Sequence, residues 1–113
     1  MTIAIDFDGT ITEHPKNFPQ PGNLRPYARD VINGLIKQGH NIILWTCRDG
    51  EALDIAKNFL IENDIRITRF NEQTIKSCSN KIVADIYIDD RAFPQCFNDI
   101  DWQKIGKIFN IFI

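Results

Sequence analysis

The sequence predicts a three-layer, doubly wound α/β protein of the Rossmann-like type, built on a mostly parallel sheet. Two observations carry this prediction: short apolar segments alternate along the chain with longer segments of helical periodicity, and the apolar segments are almost uninterrupted. Continuous apolar strands are typical of parallel sheets covered on both faces, and strand–helix alternation supplies the covering helices. With 113 residues, the chain is expected to form one domain over residues 1–113.

Each element follows from a local pattern. The predicted strands are, in chain order, residues 2–6, 41–46, 65–70 and 85–89. The predicted helices, in which apolar residues recur at helical spacing, are residues 25–38, 50–63 and 102–113. A proline-rich loop, residues 11–23, follows the first strand, and we expect it to lean over the end of that strand.

The composition narrows the class of partner. The chain is 43% apolar and 25% charged, with a net charge of −2, which is ordinary for a globular protein. No apolar run reaches the length of a membrane span, the acidic start is unlike a secretory signal, and the three cysteines lack metal-site spacing. We therefore expect a cytoplasmic protein with no membrane partner, and nucleic acid is not indicated as a partner.

Two carboxylates stand at the end of the first predicted strand. Asp6 and Asp8 are two residues apart, so their side chains are expected to point to the same side, and Gly9 then allows a sharp turn. Two carboxylates held close together repel each other and need a cation or a shared proton. This segment therefore predicts a functional site.

Further polar residues lie at or near the ends of the other predicted strands. Thr46 ends the second strand, Asp89 and Asp90 end the fourth, and Lys81 lies just before the fourth. Ligands of parallel sheets bind outside the carboxyl ends of the strands. Carboxylates, a hydroxyl and an ammonium gathered there suit Mg²⁺ and a phosphoryl group.

This ordered set resembles the haloacid-dehalogenase-like (HAD) hydrolase superfamily. The resemblance rests on the sequence Asp-Phe-Asp-Gly-Thr at residues 6–10, followed by Thr46, Lys81 and the pair Asp89–Asp90, and it spans essentially the whole chain. It implies an HAD-type fold and a Mg²⁺-dependent phosphatase that hydrolyses phosphomonoesters through an aspartyl-phosphate. The intervals after the first and second motifs are too short for an inserted domain, so the resemblance is to a member with no cap domain.

The resemblance also implies a role for each matched residue. Asp6 would be the nucleophile, and Asp8 would protonate the leaving group and then deprotonate water. Thr46 would donate to a phosphoryl oxygen, and Lys81 would balance negative charge. Asp6, Asp89 and the backbone carbonyl of Asp8 would hold Mg²⁺, and Asp90 would bind the metal directly or through water.

Several neighbours of these motifs are secondary candidates. Cys47 and Arg48 adjoin Thr46 and are assigned to substrate binding, as Lys81 and Thr46 are. For Arg48, as for Arg91, a salt bridge to a nearby carboxylate is the alternative. Cys47 has no base near it in sequence, so we expect a small buried side chain rather than a nucleophile. Loop residues that offer contacts to the leaving group, or are simply solvated, are His14, Lys16 and Asn17.

A capless site leaves the partner open. The resemblance implies a phosphorylated substrate, either a small molecule or a macromolecule, or a homo-oligomer whose second subunit closes the site. Other functions share these residues: a catalytically inactive Mg²⁺- or phosphate-binding module and a phosphotransferase. A receiver-type signalling domain is disfavoured, because such domains carry the acidic pair on the first strand and the phosphorylated Asp on a later one.

Overall fold

The computed structural model describes residues 1–71, 83–91 and 100–113, and in these residues four parallel strands form one sheet in the order β3-β2-β1-β4. The strands are β1 (Thr2–Ile5), β2 (Asn41–Leu44), β3 (Arg69–Phe70) and β4 (Ile86–Ile88). The helices are α1 (Ala28–Lys37), α2 (Gly50–Glu62) and α3 (Trp102–Ile108). The predicted α/β class and the parallel sheet are confirmed.

β1 lies between β2 and β4 and sets the register of the sheet. Ile3 is paired with Ile42 on one side and with Ile86 on the other. Residues 3–5 are buried, as expected for an apolar strand with neighbours on both sides. Because all pairs are parallel, the carboxyl ends of the strands meet at one edge, which is the edge where the predicted site residues follow.

The first helix begins later than its apolar pattern predicts. Tyr27 precedes α1 with a left-handed φ of 66°, which excludes the predicted residues 25–27 from the helix. The apolar side of α1 is fully buried against the sheet and consists of Ala28, Val31, Ile32 and Leu35. The predicted apolar stripe therefore packs into the core as expected.

The third strand and the last helix are shorter than predicted. β3 pairs only with Ile43 and Leu44 of β2, although Ile65 and Ile67 ahead of it are buried. α3 ends at Ile108, Asn110 after it has a φ of 61°, and the N–H of Ile111 donates to the carbonyl of Gly106. This left-handed reversal turns residues 111–113 away from the helix axis. The described helices include none that could span a membrane.

Candidate active site

The carboxyl edge of the sheet collects polar residues from all four strands. Asp6 follows β1, Asp89 follows β4, and Thr46 lies two residues beyond β2. Asn71 follows β3 and was not singled out from the sequence. The backbone ladder between β1 and β4 continues past the strands, because the N–H of Asp6 donates to the carbonyl of Ile88 at 3.0 Å.

Three carboxylates form a cluster at this edge. One oxygen from each of Asp6, Asp89 and Asp90 lies within 4.8 Å of the other two. Asp90 is buried, whereas Asp6 and Asp89 are partly buried. The side chain of Asp8 is not a member of this cluster, so only the backbone carbonyl of Asp8 is left as the predicted metal ligand there.

Thr10 ties the cluster together through its buried hydroxyl. This hydroxyl lies 3.2 Å from both Asp6 Oδ2 and Asp90 Oδ1 and can donate its single proton to one of them at a time. It also accepts from the N–H of Asp90 at 3.0 Å. The Thr10 carbonyl in turn accepts from the indole Nε1–H of Trp102, buried at the start of α3. Thr10 therefore links the first motif to β4 and to the last helix.

One buried carboxylate oxygen of the cluster has no hydrogen-bond donor in the part of the chain that the structure describes. Asp90 Oδ2 is buried and receives no hydrogen bond from any residue that the structure describes. His14 Nε2 lies 2.9 Å away, close enough for an ion pair when the imidazole is protonated, but without hydrogen-bond geometry. A buried carboxylate oxygen without a donor is costly, so a cation or a proton bound at this atom would be stabilising.

Burial and neighbouring charge act together on Asp6. Burial, the negative charge of Asp89 and a hydrogen bond with Asp90, in this order of size, raise its pKa from 3.8 to about 7. The Thr10 hydroxyl and the backbone at Phe7 oppose this rise. Without a cation, Asp6 therefore keeps its proton at pH values well above those at which an ordinary carboxyl group ionises.

Gly9 is required by close packing as well as by its backbone conformation. Its φ is +86°, and a Cβ there would lie 2.5 Å from His14 Cε1 and 2.7 Å from Asp90 Oδ2. The absence of a side chain thus lets the loop pass between His14 and the buried carboxylate.

We expect Gly9→Ala to lower the free energy of unfolding by roughly 2–4 kcal/mol, from left-handed strain plus overpacking. Gly39→Ala is the matched control, because Gly39 has a φ of +92° but open space around its Cβ position. Urea denaturation of both variants separates the two costs. Equal losses would show that packing against His14 and Asp90 contributes nothing.

Asp8 is bound by Arg48 instead of by the cluster. Arg48 Nε donates to Asp8 Oδ2 at 2.7 Å, and Nη2 donates to Asp8 Oδ1 at 2.8 Å. Arg48 Nη1 donates to the carbonyls of Pro19 and Ala52. The Arg48 side chain is buried, and its donors are bonded to Asp8 and to two carbonyls. Arg48 therefore forms the salt bridge that was the alternative to substrate contact.

Thr46 is held by the loops around it. Its N–H donates to Asn71 Oδ1 at 2.8 Å, and its hydroxyl oxygen accepts from the N–H of Arg48 at 3.1 Å. The sequence could have identified Asn71 as a candidate, because it is a polar residue directly after the third predicted strand. Asparagine also tolerates a left-handed backbone conformation, and Asn71 has a φ of 51°.

The remaining candidates divide into four groups. The prediction of a buried Cys47 is wrong: β2 ends at Leu44, and Cys47 lies in the following loop, exposed to solvent. Lys81 falls outside the residues that the structure describes. Lys16 and Asn17 lie with His14 around a pocket of about 260 Å³ in the proline-rich loop. The N–H of Arg91 donates to Asp89 Oδ1.

Comparison with known proteins identifies a relative. No protein-family model matches the chain, and no curated protein is similar to it in sequence. A conserved protein from Bacteroides thetaiotaomicron, whose structure has been solved, is 35% identical in sequence to this chain. The alignment covers 97% of this chain and 89% of that protein, and the two structures superpose with a TM-score of 0.83. The chain belongs to the same family as this protein. That protein is named only as a conserved protein, so the relationship supports the fold and gives no information on a reaction.

The donor set of the site suits a hard cation. Asp6, Asp89 and Asp90 offer oxygen ligands within 4.8 Å of one another, and Asp90 Oδ2, which has no hydrogen-bond donor among the described residues, belongs to the same group of side chains. Mg²⁺ is bound in proteins by one or two carboxylates together with water and phosphate oxygens. These oxygen donors therefore suit a hard cation such as Mg²⁺.

Proposed function

We propose that the chain is a Mg²⁺-dependent phosphatase that hydrolyses phosphomonoesters, with the three-layer, capless HAD-type fold that its motifs resemble. The observation that carries the proposal is the cluster of Asp6, Asp89 and Asp90, in which Asp90 Oδ2 is buried with no donor in the described ranges. An acidic turn without function is normally solvated. Here Asp90 is buried, Asp6 and Asp89 are partly buried, and the three carboxylates repel one another, which favours a site for a cation.

In this proposal Asp6 and Asp8 carry the chemistry. An Asp6 oxygen attacks phosphorus, the bond from phosphorus to the leaving oxygen breaks, and that oxygen takes a proton from Asp8. Water then attacks the aspartyl-phosphate and gives its proton to Asp8, and the bond to Asp6 breaks to release inorganic phosphate. Thr46 donates to a phosphoryl oxygen, since its hydroxyl proton has no acceptor among residues 1–71, 83–91 and 100–113.

In this proposal the cation and Lys81 balance the negative charges of the nucleophile and the substrate. Asp6, Asp89 and Asp90, with the Asp8 carbonyl, would hold Mg²⁺, which when bound lowers the repulsion between an anionic nucleophile and an anionic substrate. We assign Lys81 to the same task. Because a capless site excludes water poorly, we further propose that a bulky substrate or a second copy of the chain closes it in the cytoplasm.

Release of inorganic phosphate tests this function. The purified protein is incubated with aryl, sugar, nucleotide and peptide phosphates, in Mg²⁺ and in EDTA. We expect release that depends on Mg²⁺ for at least one class. Mg²⁺-dependent thermal stabilisation without turnover on the whole panel would contradict an enzyme and identify an inactive binding module.

A further inference from the structure

Arg48 determines the orientation of Asp8. Its two donors meet the two oxygens of one carboxylate at 2.7 and 2.8 Å, a bidentate pair that fixes the plane of the carboxylate as well as its position. A carboxylate accepts about four hydrogen bonds, so each Asp8 oxygen keeps an acceptor site or a place for a proton. Asp8 is about a quarter exposed, with 23% of its side chain accessible.

Arg48 is itself immobilised from several sides. Its Nη1 bonds to the Pro19 carbonyl at 2.7 Å and to the Ala52 carbonyl at 3.0 Å. The rings of Phe7 and Phe18 lie 5.1 and 4.7 Å from the guanidinium carbon. These contacts come from the segment that follows β1, from the proline-rich loop and from α2. A rotation of Arg48 would break several of them together.

We propose that Arg48 is a positioning residue that holds Asp8 for proton transfer to the leaving group and couples that transfer to the proline-rich loop. The inference rests on the proposed function. A structural ion pair would require only a buried cation opposite Asp8, and a lysine would supply one. A positioning role requires the planar fork, which lysine lacks.

The leaving group separates these two roles. An alkyl phosphate releases a strongly basic alkoxide and needs the proton from Asp8, whereas 4-nitrophenyl phosphate releases a stable anion that leaves without one. We expect Arg48→Lys to lower kcat/KM for the alkyl phosphate by roughly 10–100-fold and for the 4-nitrophenyl ester by less than about threefold. The comparison uses kcat/KM because this ratio reports the steps up to departure of the leaving group, whereas kcat also includes hydrolysis of the aspartyl-phosphate, in which Asp8 takes a proton with either ester. Asp8→Asn is expected to show the same selectivity with a larger loss.

Two further variants control the experiment. Arg66→Lys is the matched exchange at a side chain that is 69% exposed, and it should leave both rates unchanged. In an Asp8→Asn background, Arg48→Lys should add no further selectivity, because its effect acts through Asp8. Equal losses of kcat/KM in Arg48→Lys on both substrates, or additive selectivity in the Asp8→Asn background, would overturn the positioning role.

Phe18 keeps the inference testable if the Arg48 variants do not fold. Phe18 is 60% exposed and covers the guanidinium, so Phe18→Ala is expected to fold and to show the same selectivity at smaller size. Unchanged selectivity in Phe18→Ala would then refute the coupling. A wild-type protein inactive on both esters would refute the proposed function itself, and the inference with it. Wild-type activity with non-selective variants would refute the inference alone.

Discussion

Asp6→Asn is expected to lower the rate of phosphate release by about 10³-fold or more at saturating Mg²⁺, because an amide does not replace a carboxylate as the attacking group. The variant keeps the size of the side chain and its place beside Thr10. Initial rates with the best phosphomonoester of the panel, at several substrate concentrations, give kcat and KM for comparison with the wild type.

Asp54→Asn is the matched control for this exchange. Asp54 lies on α2 with an exposed side chain, and the same change of charge there should leave the rate within about twofold of wild type. An Asp6→Asn protein with wild-type kcat would exclude Asp6 as the nucleophile. A loss in Asp54→Asn of the same size would point to general charge effects.

The metal-free protein is expected to lose stability as the pH rises from about 4 to about 7. Burial and the charge of Asp89 raise the pKa of folded Asp6 to about 7, against 3.8 for the unperturbed group. Between these values the folded state binds the extra proton, so raising the pH favours the unfolded state until about pH 7. At 1.36 kcal/mol per pH unit, this difference is on the order of 4 kcal/mol.

Urea unfolding in EDTA across this pH range gives the measurement. The difference between wild type and Asp6→Asn isolates Asp6 from the other titrating groups, and Asp6→Asn should be the more stable protein at about pH 8. Mg²⁺ at a hundred times its Kd should stabilise the wild type by about 2.7 kcal/mol at that pH, and Asp6→Asn by less. An identical pH slope in both proteins would contradict the raised pKa.

The sequence alone was sufficient to predict the edge of the sheet at which the candidate site residues gather. Parallel strands point their carboxyl ends the same way, so the polar residues that follow β1, β2 and β4 had to meet at one edge. Asp6 and Asp89 meet there in the structure, and Thr46 follows β2 at the same edge. The buried side of α1 was equally predictable, because apolar residues at helical spacing indicate which side of a helix is buried.

The partners of individual side chains could not be predicted in this way. Arg48 and Asp8 are 40 positions apart, and their pairing depends on how the loop after β2 turns. The same turn exposes Cys47, which was expected to be buried. The contact of His14 with Asp90 depends on the path of the proline-rich loop. Periodicity carries no information about irregular backbone, so these contacts required coordinates.

The hydrogen bond between Thr10 and Asp90 spans 80 positions of sequence, and two of the three clustered carboxylates follow β4. β4 has three residues and lies at the end of the described sheet, paired with β1 alone. If β4 detaches from β1, Asp6 remains in place but loses Asp89 and Asp90 as neighbours, so the cluster can no longer hold a cation. By thermodynamic linkage, a bound cation must then hold β4 in place. The ion that we assign to catalysis would also fasten the outer strand of the sheet, so the supply of metal would influence how long the native fold persists.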